Sequence, residues 1–124
     1  MAFAFYKREW AHFGKPYEVP VEDRVVVVEI VKFICDNYGV AMPKVTFRGR
    51  RWCRCNWKED RLSYTNRLDW PVGIVAHEIA HYIEKKLSGN YRHNAALLRR
   101  IDEVLRIILK KYYPGVELPQ ARMV

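Results

Sequence analysis

The residues best suited to chemistry in this chain are two histidines and a glutamate within the pentapeptide His77-Glu78-Ile79-Ala80-His81. On a helix, residues four apart lie on the same face, so His77 and His81 can direct imidazole nitrogens at one ion. Glu78 would lie beside that ion, where its carboxylate can take a proton from a metal-activated water and later pass it to a leaving amine. The H-E-x-x-H pattern therefore predicts two zinc ligands and a general base.

The residues around this motif have the pattern of a helix over about 70–87. Asp69 can cap its first turn, Pro71 suits that turn, and Gly89 can end the helix. Apolar residues recur between these signals at helical spacing: Val72, Ile74, Val75, Ile79, Tyr82 and Ile83. This context favours a metal site over two histidines that merely pack on an amphipathic helix.

Length and composition indicate what kind of molecule carries this helix. The chain has 124 residues, 50% of them hydrophobic, which suits one domain over residues 1–124. No apolar run approaches the ~20 residues that cross a bilayer, and the N-terminus meets charge too early for a signal peptide. Three cysteines at irregular spacing make a poor disulfide framework. We therefore expect a cytoplasmic protein without a membrane partner.

The basic charge suggests a second class of function. The formal net charge is +8, and Trp52, Trp57 and Tyr64 lie among arginines and lysines of the central segment. Such a surface could contact nucleic-acid phosphates and stack on bases. A sheet with a solvated charged face has the same composition and is the simpler interpretation. A basic nucleic-acid-binding or regulatory protein, with zinc in a structural role, is therefore the alternative function.

The remaining sequence predicts an α+β order of elements around the motif. Polar residues at helical spacing favour a buried helix, although the run Val25–Val28 alone would suggest a strand. In chain order, the predicted elements are an irregular arm (1–20), the N-terminal helix (21–37), three strands of a small antiparallel sheet (44–49, 51–57 and 61–66), the H-E-x-x-H helix (70–87), a long helix (92–112) and a tail (113–124).

A hydrolytic zinc site normally needs a third protein ligand. His93 shares one stripe of the last predicted helix, so it should face the body of the protein; the other members of the stripe are Leu97, Ile101, Val104 and Ile108. Asp102 lies about 180° from His93 at 100° per residue, which would turn it toward solvent. Glu103 is rotated by about 80° and stays open as the runner-up.

Two further candidates fit a metal site less well. Glu84 shares a face with His77 but lies two turns away, about 10.5 Å along the axis, so we expect it to be a surface ion-pairing residue. His12 has no supporting spacing and is expected to be an ordinary packed or solvent-facing histidine.

Two segments, residues 69–81 and 91–98, together carry a family resemblance. The first contains the H-E-x-x-H helix, and the second contains the run His93-Asn94-Ala95-Ala96-Leu97. The chain resembles the SprT-like zincin metallopeptidases over about half of its length. In that group a third histidine opens the next helix, often as His-Gly-x-x-Phe. Here Asn94 replaces the glycine and Leu97 replaces the phenylalanine.

This resemblance implies a zincin-like fold in which the H-E-x-x-H helix packs on the long C-terminal helix. It implies His77, His81 and His93 as Zn²⁺ ligands and Glu78 as the general base of a zinc metalloendopeptidase acting on proteins or peptides. The minimal gluzincins, which match this chain in size, would instead use Glu103, or else Asp102, as the third ligand. An arm or tail lying across the cleft would keep such a peptidase latent.

Overall fold

The protein has an α+β fold, seen in a computed structural model that describes residues 2–49, 53–56 and 58–118. Helices and short strands alternate along these residues. In chain order the elements are α1 (Ala2–Phe13), a 3₁₀ helix (Lys15–Glu18), β1 (Pro20–Val21), α2 (Arg24–Tyr38), β2 (Lys44–Phe47), β3 (Arg54–Asn56), β4 (Arg61–Tyr64), β5 (Trp70–Pro71), α3 (Val72–Ser88) and α4 (Ala95–Tyr112).

The irregular arm predicted over residues 1–20 is wrong, because most of this segment is helical. Of the α1 side chains described, Glu9 and Phe13 are buried, whereas Lys7, Arg8 and His12 are exposed. A glutamate occupies one of the two buried positions, so the apolar spacing that identifies a helix is incomplete in the sequence.

The three central strands form a mixed sheet, so the predicted all-antiparallel sheet is also wrong. The strand order is β2-β4-β3. β3 runs antiparallel to β4, with Cys55 opposite Leu62, but β2 runs parallel to β4, with Val45 opposite Leu62. β4 thus enters between the two earlier strands. Strand-favouring composition does not say which strands pair, and residues 51, 52 and 57 of the predicted second strand lie outside the described residues.

The predicted helix over 21–37 is confirmed as α2 with a shift of a few residues. Its N-cap is Asp23, whose side chain accepts a hydrogen bond from the Val25 N–H at 2.8 Å. Five residues of one face are buried: Val27, Ile30, Val31, Ile34 and Cys35. The valine run is therefore helical because its neighbours complete an apolar helix face.

The helix predicted around the H-E-x-x-H motif is confirmed as α3, but its predicted cap is wrong. Pro71 occupies the N-cap position without a side-chain hydrogen bond. Asp69 instead precedes β5, in which Trp70 pairs with Val21 of β1. The helix ends at Gly89, which has a φ of 77° that favours glycine.

α3 is the centre of the core. Eleven of its residues are buried, and it contacts α1, α2, α4, the 3₁₀ helix and both sheets. Cys53 is buried and Cys55 is half-buried against this core, as expected for small apolar side chains. Burial on nearly every side fixes the orientation of whatever polar residues α3 carries.

The C-terminal segment after α4 has no regular structure over residues 113–118, in line with the predicted tail. Tyr113, Val116 and Leu118 pack against the core, and residues 119–124 lie outside the described part of the chain. Within the described ranges, no helix is both long and apolar enough to span a bilayer.

Candidate metal centre

Three histidines converge beside the middle of α3. The Nε2 atom of His81 lies 3.1 Å from Nε2 of His77 and 2.9 Å from Nε2 of His93. One ligand atom from each of the three residues falls within 4.8 Å of the others. The structure therefore brings together the three histidines that the sequence singled out.

Two local features place these side chains. His77 and His81 are one turn apart on α3, and their ring centroids are 4.7 Å apart. His93 follows the turn at Gly89, in a connection where the side chains of Asn90 and Asn94 hydrogen-bond to each other at 3.0 and 3.2 Å. This short connection brings the chain back to the two histidines of α3.

His93 does not lie on the last helix, contrary to the prediction. α4 begins at Ala95, and Asn94 is its N-cap, with a side chain that accepts from the Leu97 N–H at 3.1 Å. His93 therefore precedes the helix and is not in register with its apolar stripe. Its side chain reaches the other two histidines from the connecting segment and remains exposed.

Burial and charge set the protonation of the three rings. Burial, with the neighbouring His77 and His93, lowers the pKa of His81 far below its usual range. Burial and His77 also lower the pKa of His93, against the opposing charge of Glu9. Both rings are therefore neutral at pH 7, which is the form that binds a metal ion. Burial lowers the pKa of His77 too, but Glu78 and Glu9 outweigh it and raise that pKa.

Glu78 lies next to the histidine cluster on the same helix. Its Oε2 atom is 4.0 Å from Nε2 of His77, and both residues are 3% exposed. Its carboxylate is close enough to raise the pKa values of the Tyr64 hydroxyl and the Cys55 thiol, in each case after the larger effect of burial. The predicted base is thus a buried carboxylate at the edge of the three-histidine group.

The two acidic residues of α4 that the sequence weighed as ligands do not join this group. Glu103 accepts hydrogen bonds from the Tyr38 hydroxyl and from Arg100, the latter at 3.1 Å. Asp102 is ion-paired with Arg106 at 2.9 Å and is only 7% exposed. The expectation that Asp102 faces solvent is therefore wrong, because it assumed that His93 belongs to the same helix.

Glu84 is an ion-pairing residue as predicted, but it is not at the surface. It is 5% exposed and pairs with Arg100 of α4 at 2.9 Å. It also accepts a hydrogen bond from Ser88 at 2.9 Å. His12, by contrast, is exposed and makes an edge contact with Phe13.

Sequence reasoning missed two residues of the site, Glu9 and Tyr17. Oε2 of Glu9 lies 2.6 Å from Nδ1 of His77, and its Oε1 accepts a hydrogen bond from the Tyr17 hydroxyl at 2.9 Å. The contact with His77 spans 68 positions of sequence, so no local pattern signals it. A buried glutamate in α1 is visible only once the fold is known.

The donor set fits a zinc ion. Zinc accepts imidazole nitrogens at about 2.0–2.1 Å, and two such nitrogens on a tetrahedral ion lie about 3.3 Å apart. The two separations that involve Nε2 of His81, 3.1 and 2.9 Å, are close to that value, and the three ligand atoms all lie within 4.8 Å of one another. Comparisons of the chain with family models, curated proteins and solved structures find no match. A functional conclusion therefore depends on the residues and their geometry.

Proposed function

We propose that the protein is a zinc-dependent metallopeptidase of the zincin type, as its resemblance to the SprT-like enzymes implies. The observation that carries the proposal is the convergence of the Nε2 atoms of His77, His81 and His93, with Glu78 beside them. Three protein ligands and an adjacent carboxylate are the usual complement of a hydrolytic zinc site, which keeps a further position for water or substrate.

The chemistry assigned to the chain's own residues is proton transfer. When bound, zinc acts as a Lewis acid that makes water acidic near neutral pH and polarises the scissile carbonyl. Glu78 accepts the proton of the attacking water and passes it to the leaving amine. His77, His81 and His93 would hold the ion as neutral imidazole ligands and would not add negative charge to it.

A peptide would approach from the side of His93. His77 and Glu78 are 3% exposed, whereas His93 is exposed. The more open side of the site is therefore the connection between α3 and α4. An extended peptide could also add to an outer strand of the mixed sheet, where β2 and β3 are the edges.

The position of Glu103 supports His93 as the proposed third ligand over the minimal-gluzincin alternative. Glu103 is held by Tyr38 and Arg100, away from the three histidines. The nucleic-acid alternative has less support, since Tyr64 is fully buried and donates its hydroxyl to the Val75 carbonyl at 3.0 Å. A buried ring cannot stack on a base, whereas Trp52 and Trp57 lie outside the described residues. The proposed substrate, a protein or peptide, follows from the metallopeptidase proposal.

Metal content per chain tests the site directly. We expect one zinc per chain after dialysis of the wild type and of Glu103→Ala, and loss of zinc from His93→Ala. The measurement is elemental analysis of the three purified proteins. A wild type without metal overturns the proposal, and retention by His93→Ala with loss from Glu103→Ala would identify a gluzincin-type site.

Peptidase activity tests the role of Glu78. Glu78→Gln should keep its zinc and lose at least about 100-fold in the rate of peptide cleavage, because a general base typically contributes 10²–10⁴-fold. A quenched-fluorescence peptide library supplies the substrates, and Glu103→Ala is the matched control that should cleave like the wild type. Cleavage by Glu78→Gln at the wild-type rate would overturn the mechanism.

A further inference from the structure

A buried carboxylate from the N-terminal helix lies against Nδ1 of His77, the ring nitrogen that does not face the other histidines. Glu9 is 5% exposed, and its Oε2 is 2.6 Å from Nδ1 of His77. Burial of a carboxylate is costly unless hydrogen bonds compensate for lost water. The contact therefore calls for an explanation beyond the packing of α1.

The second oxygen of Glu9 is also engaged. Its Oε1 accepts a hydrogen bond from the Tyr17 hydroxyl at 2.9 Å, and Tyr17 is 2% exposed. The Tyr17 ring stacks on Phe13 with 6.0 Å between centroids and only 5° between planes. Two elements, α1 and the 3₁₀ helix, thus hold one carboxylate in a single orientation.

Helix α3 leaves space for this arrangement at the turn before His77. A Cβ atom at Gly73 would lie 2.1 Å from Cδ2 of Tyr17, so the ring occupies the place of a side chain. Gly73 is four residues before His77, hence on the same face of the helix. The face that presents His77 is therefore shaped to receive Tyr17, and through it Glu9.

The nitrogen that Glu9 contacts decides its role. A carboxylate only accepts hydrogen bonds, so the neutral His77 ring must carry its proton on Nδ1 and donate it to Glu9. The lone pair then lies on Nε2, the atom that is 3.1 Å from Nε2 of His81. Glu9 therefore contacts His77 through the nitrogen that does not face the other histidines, and it is not itself a metal ligand.

We infer that Glu9 is a positioning residue for a metal bound at His77, with Tyr17 fixing Glu9 in turn. This inference rests on the proposed zinc site. Glu9 holds His77 in the tautomer and orientation that direct Nε2 at the ion, and its negative charge increases the basicity of the ring. Residues with this role typically contribute 10–100-fold to metal affinity. The N-terminal helix is then part of the metal centre.

The test is the zinc affinity of four variants, measured by competition with a chromophoric chelator. Glu9→Gln is nearly isosteric and removes the charge but keeps an acceptor, whereas Glu9→Ala removes both. Tyr17→Phe removes only the hydroxyl that holds Glu9. Glu18→Gln is the matched control, because it makes the same chemical change at an exposed residue beside Tyr17.

We expect affinity to fall about 10-fold in Glu9→Gln and toward 100-fold in Glu9→Ala. Tyr17→Phe should show a smaller loss, and Glu18→Gln should match the wild type. Absorption bands of the Co²⁺-substituted protein, which report ligand geometry, should shift in Glu9→Ala and stay unchanged in Glu18→Gln. Thermal unfolding of the metal-free proteins shows whether each variant folds. If Glu9→Ala does not fold, the zinc affinities of Glu9→Gln and Tyr17→Phe test the inference.

The possible failures are distinguishable. Wild-type zinc binding with unchanged affinity and Co²⁺ spectra in folded Glu9 variants overturns this inference and leaves the zinc site intact. The inference is equally overturned if the variants lower only the stability of the metal-free protein, since that is a purely structural role. A wild type that binds no zinc overturns the proposed function and this inference together.

Discussion

At the scale of single residues, the packing around the site leaves no room for a side chain at Gly73. Alanine would raise helix propensity by about 1 kcal/mol, but its Cβ would overlap the Tyr17 ring at 2.1 Å. Overpacking of a core costs about 1–3 kcal/mol and sometimes more. An overlap this severe belongs at the upper end of that range, so after the gain in propensity we expect Gly73→Ala to lower the free energy of unfolding by about 2 kcal/mol. Urea denaturation of the metal-free protein measures this change.

Gly115 provides the matched control for this substitution. A Cβ at Gly115 would have no heavy atom within 4 Å, so Gly115→Ala should change stability by less than about 0.5 kcal/mol. Equal effects of the two substitutions would show that the Tyr17 ring can move aside at little cost. The conclusion that Gly73 shapes this face of α3 would then be wrong.

Residue types and their spacing predicted the histidines and Glu78, but not the other buried acids. Glu9, Glu84 and Asp102 are all at most 7% exposed. Helical periodicity assigns charged residues to solvent, because burial of an unpaired charge is unfavourable. Each of these carboxylates has a partner, and for Glu9 and Glu84 it comes from another element. Such partners cannot be seen in one segment of sequence.

At the scale of elements, the N-terminus of α4 determines where His93 lies. Asn94 caps this helix and also bonds to Asn90. Loss of an asparagine cap typically costs about 0.5–2 kcal/mol. Asn94→Ala should therefore destabilise the protein by about that amount and also weaken zinc binding several-fold, because His93 is the adjacent residue.

Asp23, the cap of α2, separates the two effects of that substitution. Asp23→Ala removes a similar hydrogen bond, to the Val25 N–H, and should cost a similar amount of stability. Because the histidines of the cluster belong to α3 and the connection that follows it, zinc affinity should stay at the wild-type value. Chelator competition and urea unfolding give both quantities. Equal zinc affinity in the two variants would contradict a local role for Asn94.

The elements differ in how far the sequence predicts them. α2, α3 and α4 follow from apolar spacing and end signals, since those are local properties. The parallel pairing of β2 with β4 depends on where β4 enters the sheet, and α1 was missed because Glu9 interrupts its apolar face. The spacing of the sequence predicted the three histidines. It did not predict that His93 precedes α4, because that depends on which asparagine caps the helix.

At the scale of the whole molecule, the core keeps several ionisable groups neutral. Burial raises the pKa of the Cys35 and Cys53 thiols to about 11 and that of Cys55 to about 12. In an unfolded chain such thiols ionise near about pH 8.5. The fold therefore retains protons that the unfolded chain releases at alkaline pH.

This difference predicts that stability falls as pH rises above about 8.5. Between that pH and the folded pKa values, the unfolded chain binds fewer protons than the folded one, so the free energy of unfolding decreases with pH. The slope is at most about 1.4 kcal/mol per pH unit for each thiol. Well below about pH 8 all three thiols are protonated in both states and contribute no slope.

Urea unfolding of the metal-free protein from pH 7 to 10 measures this decline, with chelator present so that zinc makes no contribution. Cys35→Ala removes one of the three thiols. The free energy of unfolding of this variant should fall less steeply with pH, although the cavity left by the substitution lowers its stability at pH 7. The comparison depends on slopes, so the cavity does not affect it. Constant stability between pH 8 and 10 would mean that these thiols ionise as readily in the folded chain as in the unfolded one. Identical slopes in the two proteins would mean the same for Cys35 alone. The buried positions of Cys35 and Cys53, at 1% and 7% exposure, predict the opposite.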